Sequence, residues 1–190
     1  DINRIMGELS DGNFDVHTSQ RFIGDFRSIE ESIDSFTSNI SAAFGHIQLL
    51  NKFDFDDICV SLKSSSVPVT MKAYQLMGEA SSYPLHIGVT ETGTPKMGVL
   101  KSAVGIGGLL ALGIGDTVRV SLTADPVEEV CAAREILKAA GVRREGPELV
   151  SCPTCGRTKI DLIALANQVE ERLKTVDKPI TVAVMGCAVN

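Results

Sequence analysis

Three cysteines late in the chain carry the chemistry that residue types announce most directly: Cys152 and Cys155 in Ser151-Cys152-Pro153-Thr154-Cys155, and Cys187 in Met185-Gly186-Cys187. Thiolates are soft ligands that favour zinc or iron–sulfur clusters. Three of them leave one tetrahedral position without a cysteine, and reactive metal chemistry belongs to sites with such an opening. Spacing by itself admits a zinc ribbon short of one ligand, a redox CxxC pair or a cluster. Cys59 and Cys131 fall in an expected strand and an expected helix, where a thiol is read as a small buried hydrophobe. His17 and His46 have no ligand-like neighbours.

The elements that must position these groups change character near His46. From Phe22, apolar residues recur at Phe22, Phe26, Ile29, Ile33, Phe36, Ile40, Ala43 and Ile47, the alternating four-and-three spacing of a coiled-coil seam. Ile2, Ile5 and Leu9 form a shorter stripe ahead of a polar connector. Two such helices bury their seams poorly alone, so a parallel dimer is expected.

From about residue 53, strands and helices alternate. Ile58–Leu62, Leu85–Val89 and Val118–Leu122 read as strands; Val69–Ala80, a stretch within Lys96–Leu112 and a segment after Asp125 read as helices. Asp125 suits a cap, Pro126 the first turn, Glu128 the capping-box position and Gly141 the stop. Repeated strand–helix units imply a parallel sheet, so the fold class is α/β. Lys63, Glu91 and Ser121 fall at strand C-terminal ends, where parallel α/β folds collect their sites. A helix near Asp161–Thr175 and a strand over Ile180–Val184 then lead to Cys187.

The 190 residues suffice for one ample domain or two small ones, and 44% hydrophobic with 22% charged content suits a globular chain. The net charge of −6 is uneven: residues 1–46 hold eight acidic and three basic side chains, and 47–190 hold sixteen and fifteen. Neither part offers a polyanion-binding surface, so nucleic acid is not an expected partner. No run is long and apolar enough to span a bilayer. Five cysteines without paired spacing suggest reduced thiols in the cytoplasm.

Residues 47–190 resemble the 4-hydroxy-3-methylbut-2-enyl diphosphate synthase family of non-mevalonate isoprenoid biosynthesis. The resemblance rests on Val60-Ser61-Leu62-Lys63-Ser64-Ser65, Pro84 through Glu91, Lys101-Ser102-Ala103-Val104-Gly105, Gly115 through Glu129, Ser151 through Cys155, and Val184 through Asn190. It implies a partial TIM-type (β/α) barrel, later strands only, over 47–148, followed by a truncated α/β iron–sulfur domain over 149–190. A helical, coiled-coil-like segment over 1–46 precedes them. That segment resembles the HAMP-type signalling module of chemoreceptors, on Leu9-Ser10-Asp11-Gly12-Asn13-Phe14 and Gly24-Asp25-Phe26.

The enzyme family implies a 4Fe-4S cluster on Cys152, Cys155 and Cys187, with electrons from flavodoxin or ferredoxin. It also implies a homodimer in which one subunit's cluster domain closes over its partner's barrel. The reaction would be reductive ring opening and dehydroxylation of 2-C-methyl-D-erythritol 2,4-cyclodiphosphate. Lys63 and Arg119 then suit the diphosphate, since cationic groups donate charge-assisted hydrogen bonds to phosphate oxygens. Ser121, on the same strand face as Arg119, adds a donor. Glu91 is the candidate acid. His86 also matches, in a supporting or core role.

The blander readings are surface salt bridges for Lys63 and Arg119, a cap for Glu91 and an ordinary strand hydroxyl for Ser121. Gly105-Ile106-Gly107-Gly108 looks like a dinucleotide loop but lacks a preceding strand, so helix packing explains it better. The family's fourth ligand, a glutamate beyond the last cysteine, and its early barrel strands have no counterpart here. Impaired activity is therefore expected. The rival reading is a non-enzymatic signalling or structural protein with a helical dimerisation segment and cysteine-bound zinc.

Overall fold

Pro68, Pro95 and Pro126 each lie in the first turn of a helix, where the missing N–H costs nothing and the ring presets φ. These helices are α2 (Val67–Ala80), α3 (Pro95–Ala111) and α4 (Pro126–Ala139), preceded by α1 (Phe26–Asn51). The computed structural model describes Arg4, Glu8 and residues 26–187, in two compact units, Asp1–Val142 and Arg143–Asn190. The stripe Ile2, Ile5 and Leu9 and the connector that resembles a signalling module lie outside the described residues, as does Phe22.

In the first unit, Ile40 and Ile47 of the heptad seam are buried in the same core as Tyr74, Met77, Ile87, Ile106 and Leu109. Over this stretch the seam is closed by the chain's own packing, with α1 lying against α2.

The core is built on short parallel strands. Val60 bridges Leu85, and β1 (His86–Ile87) pairs with β2 (Thr117–Val118) in the register His86↔Thr117 and Ile87↔Val118. The expected five-residue strands are thus mostly extended chain with few regular rungs. One cause is local: the Leu62 N–H goes to the Tyr74 hydroxyl at 3.0 Å rather than to a neighbouring strand. Alternation nevertheless holds. Val60, Leu62, Leu85, Ile87, Val89 and Val120 are buried beneath the helices. By the two-residue period, Ser61, Lys63, His86, Gly88, Thr117, Arg119 and Ser121 share the opposite face.

The helix ends follow sequence chemistry with one change. The Asp125 carboxylate accepts from Val127 N–H at 2.8 Å, and Gly141 ends the following turn at φ 71°. It is Glu129, not Glu128, that reaches back, accepting from Leu122 N–H at 2.7 Å. Gly105 lies within α3, where a Cβ would stand 2.5 Å from Val89 Cγ2, so its role is close helix–strand packing. Cys59 and Cys131 are exposed, contrary to the reading from sequence. Cys59 neighbours buried Val60 and so takes the opposite strand face, while α4 turns Ile136, not Cys131, inward.

In the second unit, β3 (Glu148–Ser151) and β4 (Thr181–Val184) pair in parallel from Glu148↔Thr181 to Ser151↔Val184. The helix α5 (Leu162–Leu173) connects them, and the Asp161 carboxylate caps it by accepting from Ala164 N–H at 3.1 Å. Leu162 and Val184 are its buried apolar residues. Among the described residues no helix is long and apolar enough to cross a membrane.

Candidate functional site

The first unit gathers four of the expected residues at the C-terminal ends of its parallel segments. Lys63 follows the bridge at Val60, Glu91 follows β1, and Arg119 and Ser121 follow β2. The segments are tied at that end: Thr90 N–H donates to Ser64 O at 3.1 Å, and Arg119 N–H donates to Ile87 O at 2.9 Å. Extending the observed pairings places Lys63, Gly88 and Arg119 in one row across the polar face. Gly88 belongs there because the backbones meet closely; a Cβ would stand 2.4 Å from Arg119 O.

Charge on this face is positive and in part unsatisfied. Lys63 is exposed and Arg119 half-buried. Arg119 Nε is buried and has no hydrogen-bond partner among the described residues. His86 feels both cations. Burial first, then Arg119 and Lys63, hold its pKa below the usual 6.5. Its Nδ1 lies 2.8 Å from Thr117 Oγ1, which fixes the ring. The two cations thus disfavour a third positive charge on this face before ligand arrives.

Glu91 is exposed and has a backbone φ of 53°, in the left-handed region that non-glycine residues seldom occupy. Its neighbours hold it there. The buried Thr92 hydroxyl donates to Ser121 O, and Thr123 N–H donates to Gly93 O at 2.9 Å. The carboxyl-bearing loop is therefore anchored to the strand end that carries Ser121. Thr92 carried no motif signal in the sequence, since a threonine in a turn is ordinary.

The second unit holds the three thiols at the C-terminal ends of β3 and β4. Gly186 links their loops: its N–H donates to Cys152 Sγ at 3.4 Å, and its carbonyl accepts from Lys159 N–H at 3.0 Å. Thr158 closes the CxxC turn, its Oγ1 accepting from Cys155 N–H at 3.1 Å. The Arg157 backbone N–H, with its side chain and then the Thr158 hydroxyl, holds the exposed Cys155 thiol below its usual range. Among the described residues no group of three or more His, Cys, Asp or Glu side chains is drawn together as a ligand set. The donors themselves fit a thiophilic centre. They are three reduced cysteines on turns, with backbone N–H groups directed at sulfur.

Comparison with known proteins bears on both units. Residues 25–134 match the family model described as the GcpE TIM-barrel domain, and residues 148–190 match the GcpE protein C-terminal domain. The barrel match thus begins within the helical segment that the sequence assigned to 1–46. A Dehalococcoides mccartyi protein is 60% identical over 151 residues, covering 80% of this chain and 43% of the relative. Proteins of Fusobacterium nucleatum and Ruminiclostridium cellulolyticum are 58% and 56% identical over the same length, with the same coverage. All three relatives are named 4-hydroxy-3-methylbut-2-en-1-yl diphosphate synthase (flavodoxin). The chain spans less than half the length of these curated relatives.

Proposed function

Because the chain belongs to the GcpE family, we propose that it serves the reductive ring opening and dehydroxylation of 2-C-methyl-D-erythritol 2,4-cyclodiphosphate to 4-hydroxy-3-methylbut-2-enyl diphosphate. The observation that supports this most is the single polar row of Lys63, Gly88 and Arg119, bordered by Ser121 and the Glu91 loop. Two cations in one row suit the two phosphoryl groups of a diphosphate. Lys63 supplies a mobile point charge, and Arg119 a planar guanidinium.

Ser121 hydrogen-bonds a phosphate or ring oxygen from the same face as Arg119. Glu91 gives a proton to the departing hydroxyl oxygen, and its exposure leaves it free to be reprotonated from water.

Cys152, Cys155 and Cys187 are the residues that would hold a 4Fe-4S cluster in the α/β unit over Arg143–Asn190. When bound, such a cluster supplies the two electrons that the reduction requires, passed from flavodoxin, the donor in the relatives' name, or from ferredoxin. The Gly186 N–H to Cys152 sulfur and the turn closed by Thr158 hold two of the thiol loops in place for that role. A homodimer and a cytoplasmic location accompany the reading.

The test is anaerobic reconstitution with iron and sulfide, followed by absorption and EPR spectroscopy and by titration with the cyclodiphosphate. The reading expects a cluster that disappears in Cys152→Ser, Cys155→Ser and Cys187→Ser, and ligand binding that weakens in Lys63→Ala and Arg119→Ala. Stoichiometric zinc with no cluster formed would overturn it.

A further inference from the structure

Tyr74 lies on α2, fully buried, yet its hydroxyl emerges between two parallel segments. It accepts from Leu62 N–H at 3.0 Å and donates to His86 O at 2.6 Å. The surrounding pairing shows what this oxygen replaces. Val60 N–H donates to Pro84 O and His86 N–H donates to Val60 O, each at 2.8 Å, in the ordinary parallel pattern. The next rung in that pattern would run from Leu62 N–H to His86 O. Both groups instead meet on Tyr74, and direct pairing is found again at Thr90 N–H to Ser64 O.

We infer that Tyr74 is a positioning residue whose hydroxyl, inserted as one rung of the ladder, sets the separation of Lys63 from Arg119 and so the preference for a diphosphate over a single phosphate. The inference rests on the substrate site proposed above. The inserted oxygen holds the Leu62 backbone away from His86 one residue before Lys63. On the other side of β1 the spacing stays direct, with Arg119 N–H on Ile87 O at 2.9 Å. The row therefore opens only on the Lys63 side, above Gly88. Removing the oxygen leaves two buried backbone groups either unpaired or free to close on each other. Unpaired groups destabilise the sheet, and closure brings the cations nearer together.

The experiment titrates this chain and its Tyr74→Phe variant with inorganic pyrophosphate and, separately, orthophosphate by calorimetry, with amide exchange followed at Leu62. The expected result is a folded variant with pyrophosphate affinity lowered about tenfold, orthophosphate affinity unchanged and faster exchange at Leu62. Equal losses for both anions, or no loss in a folded variant, would overturn the inference and leave the substrate site standing. A parent chain with no preference for pyrophosphate would remove the substrate site and this inference with it.

If Tyr74→Phe does not fold, a difluorotyrosine at position 74 carries the same test. Its phenol ionises at lower pH, which removes the donor to His86 O, and the pyrophosphate preference must then fall as the phenol titrates. A preference that persists through that titration would overturn the inference.

Discussion

The hydroxyl of Thr92 donates to the backbone carbonyl of Ser121, joining the loop after β1 to the strand end after β2. Thr92 is buried, and with the Thr123 N–H to Gly93 O bond it links the candidate acid's loop to the candidate phosphate-binding strand. Thr92→Val keeps the shape and removes the donor, leaving Ser121 O without that partner. The expected cost is about 1–2 kcal/mol of stability, read by thermal or denaturant unfolding. Thr92→Ser, which keeps the hydroxyl, should lose clearly less.

Glu91 pays a conformational penalty for its position, with φ at 53°. A glycine there removes the Cβ clash of the left-handed region, at roughly 1–2 kcal/mol, and gives back part of that as unfolded-chain entropy. Glu91→Gly is therefore expected to be as stable as the parent or more so by up to about 1 kcal/mol, while lacking the proton donor. Glu91→Gln should leave stability unchanged. A strong destabilisation by Glu91→Gly would mean that the carboxylate holds the loop, which the bonds from Thr92 and Thr123 already do.

Gly88→Ala tests the close approach between strands. The added Cβ would stand 2.4 Å from Arg119 O, which is backbone and cannot rotate away. The expected loss is about 1–3 kcal/mol, with Arg119 displaced and anion binding weakened. Gly107→Ala is the control, since nothing lies within 4 Å of a Cβ built there. That substitution should be neutral or slightly stabilising.

His86 predicts a pH dependence. Burial, Arg119 and Lys63 hold its pKa below 6.5 in the folded chain, so the folded state resists the proton that the unfolded state accepts. The stabilisation is fully present above about pH 6.5 and is lost as pH falls from there through the folded-state pKa. His86→Gln should flatten this part of the stability profile measured by chemical denaturation. A bound diphosphate should raise the His86 pKa, because the anion offsets both neighbouring cations, and NMR titration of the ring with and without pyrophosphate reads the shift directly.

Residue spacing determined much of this protein before any fold was known. Asp125 and Pro126 placed the start of the helix that follows them, because first-turn chemistry is local. Strand-like runs placed Lys63, Glu91 and Ser121 at strand C-terminal ends, and the first unit brings them there. Tertiary structure decided what depends on partners distant in sequence. The Tyr74 hydroxyl reads as an ordinary core residue until Leu62 and His86 meet on it, twelve positions away on either side. The left-handed turn at Glu91 exists because Thr92 finds Ser121, twenty-nine residues on. Cys59 and Cys131 became exposed because burial depends on which face a neighbouring element covers, and periodicity alone does not name that element.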